Sequence, residues 1–121
     1  MNYYYYSFVF LVTFITKHCF NASWIVAANV YSKKIRVVDV NELSLRIITT
    51  VEYIFSIAIT DSNHIVASCD SEILVFDAKT LTKIRTINLP MPGNVMMSVK
   101  PHGAGFFAFN SRTFSLFQVK I

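Results

Sequence analysis

Charge is what this chain has least of. Only 15% of its 121 residues are Asp, Glu, Lys or Arg, where a soluble domain usually carries about a quarter. Glycine and proline are also sparse, at three each, so Asn, Asp, Ser and Lys have to supply the turns. Two cysteines, Cys19 and Cys69, cannot build a disulfide framework and read as free buried thiols of a reducing compartment. His18 and Cys19 are adjacent, but no CxxC or HxxxH pair completes a zinc set. His64 and His102 sit in turn-like contexts and read as solvated turn residues. There is no Gly-rich phosphate loop and no nucleophile elbow, so neither a cofactor nor an enzyme is expected. The net charge of +4 is mild and scattered, unlike the concentrated stripe of a nucleic-acid binder.

Two further shortages concern the N-terminus. The apolar run over residues 8–15 ends near Thr16, short of the roughly twenty residues a membrane span needs. No Lys or Arg precedes Lys17, so the positive start of a signal peptide is missing although its apolar centre is present. Residues 1–20 therefore read as an apolar leader or a ragged first strand, with a signal or anchor as the alternative. Asn21-Ala22-Ser23 is a glycosylation acceptor that matters only if the chain is secreted.

What the chain has in abundance is short apolar runs. It is 54% hydrophobic and holds 11 Phe and 6 Tyr, a composition that leans toward strands. In residues 54–89, Phe55, Ile57 and Ile59 alternate with Ser56, Ala58 and Thr60, the period of a strand. Three more runs follow, at residues 64–69, 73–76 and 83–87, separated by Asp61-Ser62-Asn63, Asp70-Ser71 and Asp77-Ala78-Lys79-Thr80. Four strands joined by tight turns in about forty residues make one blade of a β-propeller.

The unit repeats. Trp24-Ile25-Val26-Ala27-Ala28-Asn29 corresponds to His64-Ile65-Val66-Ala67-Ser68-Cys69. Residues 34–40 correspond to 72–78, and Asn41-Glu42-Leu43 to Lys79-Thr80-Leu81. Asp77 lies 38 residues after Asp39, and Gln118 stands 41 after Asp77, in the propeller range. The expected fold is all-β, a partial propeller of about three four-stranded antiparallel blades, over residues 21–51, 54–89 and 94–121. An arc of that size leaves a face uncovered at each end. Either it is a fragment of a longer propeller, or its exposed blade faces self-associate.

Asp39 and Asp77 end the third strand of their blades, where a carboxylate bonds turn amides. Two small basic turns are the weak site candidates: Lys33, Lys34 and Arg36, then Lys79, Lys83 and Arg85. They suit phospholipid head groups, an acidic partner or simply a solvated edge.

Residues 98–119 resemble a WD repeat, although Val38-Asp39, Phe76-Asp77 and Phe117-Gln118 replace its Trp-Asp pair. Over residues 24–109 the chain resembles the PROPPIN family, the phosphoinositide-binding propellers of autophagy. That likeness is carried by Ile54-Phe55-Ser56-Ile57, residues 72–77, Lys83-Ile84-Arg85-Thr86-Ile87 and Leu89-Pro90-Met91-Pro92-Gly93-Asn94. It implies a cytoplasmic, non-enzymatic scaffold that binds phosphatidylinositol 3-phosphate at membranes and recruits autophagy proteins. The family's Phe/Leu-Arg-Arg-Gly signature is absent, so no lipid-binding residue carries over. The alternatives are a generic WD-repeat protein-interaction module and a secreted or anchored propeller.

Overall fold

The computed structural model describes residues 16–29, 32–70, 72–88, 97–110 and 115–121. The tyrosine run, the apolar residues 8–15 and the Pro-rich segment after Asn88 lie outside them. Eleven strands form three antiparallel sheets among the described residues. Sheet 1 is β1 (Thr16–Phe20), β2 (Trp24–Asn29), β3 (Lys34–Asp39) and β4 (Ser44–Thr49), paired in sequence order. Sheet 2 repeats that meander with β5 (Ile54–Ile59), β6 (His64–Cys69), β7 (Ile73–Asp77) and β8 (Lys83–Ile87). Sheet 3 has β9 (Ser98–His102), β10 (Gly105–Asn110) and β11 (Ser115–Val119). The first strands β1, β5 and β9 lie side by side, and the sheets fan out from them as propeller blades do.

Sheet 2 is the central layer, and its burial shows why two of its strands read as unbroken apolar runs. A sheet covered on both faces needs apolar residues at successive positions. From Ile65 to Cys69 and from Ile73 to Phe76 every residue is buried. One face, with Ile57, Ile65, Ala67, Leu74 and Phe76, packs on Trp24, Val26, Ile35 and Val37 of sheet 1. The other, with Ala58, Val66, Ile73 and Val75, packs on Val99, Phe106 and Ala108 of sheet 3. Each fully buried side chain of this size contributes about 1.5–3 kcal/mol. Val99 also donates its amide to the Ser56 hydroxyl at 3.2 Å, tying β9 to β5.

Among the described residues sheet 1 starts with Thr16–Phe20, within the 1–20 segment read as a leader or a ragged first strand; Cys19 packs on the core and Phe20 is exposed. Two details depart from the sequence reading. Pro101 and His102 belong to strand β9 rather than to a turn. A proline is tolerated there because β9 is an edge strand and has no ladder to complete on its open side. His64 is half-buried as the first residue of β6, opposite Asp77, and not a solvated turn residue. Gly105 follows from close approach: a Cβ there would stand 2.1 Å from the Val119 carbonyl oxygen.

Candidate interaction surface

The strand ends form two rims, and each carries one of the basic turns. At the first rim, Lys33 accepts the Thr50 amide on its carbonyl at 2.8 Å and the Thr50 hydroxyl at 3.2 Å. The same hydroxyl reaches the Glu52 carbonyl at 2.8 Å. The Ile54 amide donates to the Ser32 carbonyl at 2.8 Å. The crossover over residues 50–53 is thereby stitched to the turn at residues 32–33. It presents Val51, 87% exposed, and Tyr53, 48% exposed. The Lys33 ammonium lies 4.7 Å from the centre of the Tyr53 ring, a cation–π distance. Glu52, Asp70 and Glu72 lie close enough to raise the Cys69 thiol, after burial, the larger cause.

The second rim is built from a turn that occurs twice. Asp39 accepts the amides of Asn41 and Glu42 at 2.9 and 3.0 Å. Asp77 accepts those of Lys79 and Thr80 at 2.8 and 3.0 Å. Each turn then closes through a leucine in the left-handed region, Leu43 at φ 54° and Leu81 at φ 61°. The aspartates thus serve the turns. Asn21 accepts the Ser23 and Trp24 amides, and its own amide donates to Asn63 at 2.9 Å, joining the two sheets at this rim.

The structure places Lys33 and Lys34 at the first rim and Lys79 and Lys83 at the second, at opposite ends of the strands. Those ends are roughly 20 Å apart for a six-residue strand. Arg36 lies within β3, and Arg85 is committed to the Lys120 carbonyl at 2.8 Å. The six basic residues are not brought together into one patch. Arg46 is the residue that sequence reasoning passed over. It donates to the Ala78 and Lys79 carbonyls and lies over the Trp24 ring at 5.4 Å. Its signal was the recurrence of arginine at the same place in the fourth strand of two successive repeats.

The remaining chemistry is structural. Burial pushes the Cys19 and Cys69 thiols up to about 12, so neither is a nucleophile near neutral pH. His102 packs on Phe107 with ring centres 4.6 Å apart. Among the described residues, no group of three or more His, Cys, Asp or Glu is placed to hold a metal. None of them forms a helix long and apolar enough to cross a membrane.

No protein-family model matches the chain, and no curated protein sequence does. Its architecture, however, recurs among solved structures. A chain of the mitotic checkpoint complex superposes with a TM-score of 0.69 at 12% identity, over 84% of this chain and 32% of that one. U3-55K gives 0.59 at 13%, over 82% and 36%. The dihydro-heme d1 dehydrogenase NirN gives 0.69 at 11%, over 88% and 25%. The chain thus spans between a quarter and about a third of these proteins. Among the described residues the fold is that of a β-propeller segment, three antiparallel sheets packed face to face. A fold shared by a dehydrogenase and by other proteins does not by itself assign an activity.

Proposed function

We propose that this chain is a non-enzymatic interaction scaffold that binds protein through the first rim. The observation that carries this reading is the stitched crossover with Val51 and Tyr53 exposed beside Lys33. An aromatic anchor with an apolar neighbour, rimmed by charges of both signs and held on a rigid frame, is what a protein interface uses. At the second rim Asp39 and Asp77 are taken up by turn amides, and no aromatic side chain is exposed beside them among the described residues.

The test is site-specific photo-crosslinking in cells, with the reactive residue at position 51 or at position 42. Discrete protein adducts from position 51, lost on Tyr53→Ala and absent from position 42, support the reading. Equal labelling from both rims overturns it.

The finer reading is a cytosolic protein recruited to membranes bearing phosphatidylinositol 3-phosphate, with autophagy proteins as partners. It is supported by the resemblance over residues 24–109 and by the two free thiols. The separation of Lys33 and Lys34 from Lys79 and Lys83 weakens it. Liposome flotation with and without that lipid decides: we expect little binding by this chain, and specific flotation would establish the lipid role.

A further inference from the structure

The turn that leads into the third strand changes sign between sheet 1 and sheet 2. Lys34 opens β3 just before Ile35, and Glu72 stands at the same place in the repeat, just before Ile73 of β7. Lys33 in the first turn and Asp70 in the second extend the contrast. Lys33 and Lys34 are exposed, and Asp70 and Glu72 are half-buried. The crossover over residues 50–53 runs between the two turns and is tied to both. On the sheet 1 side, Thr50 and Ile54 donate their amides to the Lys33 and Ser32 carbonyls at 2.8 Å, and Lys34 pairs with Thr49. On the sheet 2 side, Ile54 pairs with Cys69, whose amide closes the second turn on the Glu72 carbonyl at 2.8 Å. Val51 and Tyr53 therefore stand between a basic and an acidic flank, set about one sheet spacing apart, roughly 10 Å.

Building on the protein-binding role given to this rim above, we propose that its partner is a polypeptide segment with an apolar residue between charges of opposite sign. The apolar residue sits on Val51 and Tyr53, the acidic side lies toward Lys33 and Lys34, and the basic side lies toward Asp70 and Glu72. The apolar centre supplies affinity, since an aromatic anchor is what interfaces bury. The flanks supply orientation and speed of encounter, because each exposed charge pair adds little affinity. The screening length at physiological salt is about 8 Å, so a ligand charge senses the flank beside it more than the sum of the two. A ligand of one sign throughout is attracted at one flank and repelled at the other. That sets a mixed-charge segment apart from nucleic acid and from an anionic membrane, whose charges repeat with one sign. The Lys33 ammonium lies over the Tyr53 ring, so the basic flank borders the anchor directly.

The experiment is selection of phage-displayed random peptides on the full chain, followed by affinity measurements with the enriched peptides made synthetically. Circular dichroism confirms the sheet fold of every variant. Enriched peptides are expected to carry an apolar or aromatic residue with an acidic residue on one side and a basic residue on the other. Their affinity falls about tenfold or more with Val51→Glu or Tyr53→Ala. Lys34→Glu and Glu72→Lys each remove the contrast between the flanks. Each weakens binding about fivefold at low salt and less at high salt. Glu72→Lys at the same time strengthens a uniformly acidic control peptide. Enriched peptides of one sign that still depend on Val51 and Tyr53 overturn the charge arrangement and leave the protein-binding rim standing. Peptides that bind Val51→Glu and Tyr53→Ala as tightly as wild type lie elsewhere and overturn both. Mixed-charge peptides indifferent to Lys34→Glu and Glu72→Lys, or no enrichment at all, also overturn the proposal.

Discussion

Arg46 and Arg85 make the same contact one repeat apart. Each extends from the fourth strand of its sheet to a backbone carbonyl just past the third strand of the next, Lys79 for Arg46 and Lys120 for Arg85. Arg46 also reaches the Ala78 carbonyl and covers the Trp24 ring. The guanidinium thus works as a strap between successive blades, on sites where backbone acceptors have no strand to pair with.

Arg46→Ala is expected to lower stability by about 1–2 kcal/mol, a charged hydrogen bond discounted for its exposure. Arg46→Lys recovers little, since one ammonium lacks the fork that spans two carbonyls. Arg85→Ala costs less, with a single bond to lose. Urea midpoints of the three variants check the order, and an Arg46→Lys variant equal to wild type would contradict the two-carbonyl geometry.

Leu43 and Leu81 occupy the same left-handed position with different surroundings. A non-glycine residue there costs roughly 1–2 kcal/mol, partly offset on substitution by the larger unfolded-state entropy of glycine. Leu43→Gly relieves strain without losing buried contacts, so its thermal midpoint is unchanged or raised. Leu81→Gly also removes side-chain packing on the cluster between sheets 1 and 2 and is expected to destabilise by about 1–2 kcal/mol. Equal effects of the two substitutions would show that Leu81 contributes no packing.

The repeat was legible because several local signals in the first two sheets agree. Alternation in β5, turn residues at 61–63 and 77–80, and a matched Asp39 and Asp77 all point to the same unit. Thr16–Phe20 was hard to place because the apolar sequence of residues 8–15 leads straight into it, masking the alternation of Cys19 and Phe20. Pro101 misled because proline ordinarily marks a turn, and only the edge position of β9 excuses it. The rims were least legible. Whether two basic turns share an end depends on which loop of the meander each occupies, and charge spacing in sequence does not carry that. Arg46 escaped notice because its role lies in backbone carbonyls of the next blade, which carry no sequence signal.

Cys19 and Cys69 are expected to resist alkylation in the folded protein. Burial holds both thiols near 12, so the thiolate fraction at pH 8 is negligible. Iodoacetamide labelling followed by mass spectrometry should show little modification of either until urea unfolds the chain. Cys69, buried in the cluster, should lag behind the half-buried Cys19. Modification of Cys69 at the rate of a free thiol would mean that sheets 1 and 2 separate readily.

Asp77 makes its own turn sensitive to acid. Its carboxyl is held below the usual 3.8 by the Thr80 amide first; burial, the next influence, opposes this, and the Lys79 amide, the Thr80 hydroxyl and the nearby His64 add to the lowering. A folded value below the unfolded one means that the ionised carboxylate stabilises the folded state. That contribution is fully present above the unfolded value, about 3.9, and is lost as pH falls through the folded value. Asp77→Asn keeps an acceptor oxygen but removes the charge. The variant should therefore be less stable than wild type at pH 7 and at pH 5, and the gap should close below pH about 4 as the wild-type carboxylate protonates. Urea midpoints at pH 7, 5 and 3 measure it. A gap that persists unchanged at pH 3 would show that the asparagine fails as a turn acceptor, and that charge is not what Asp77 supplies.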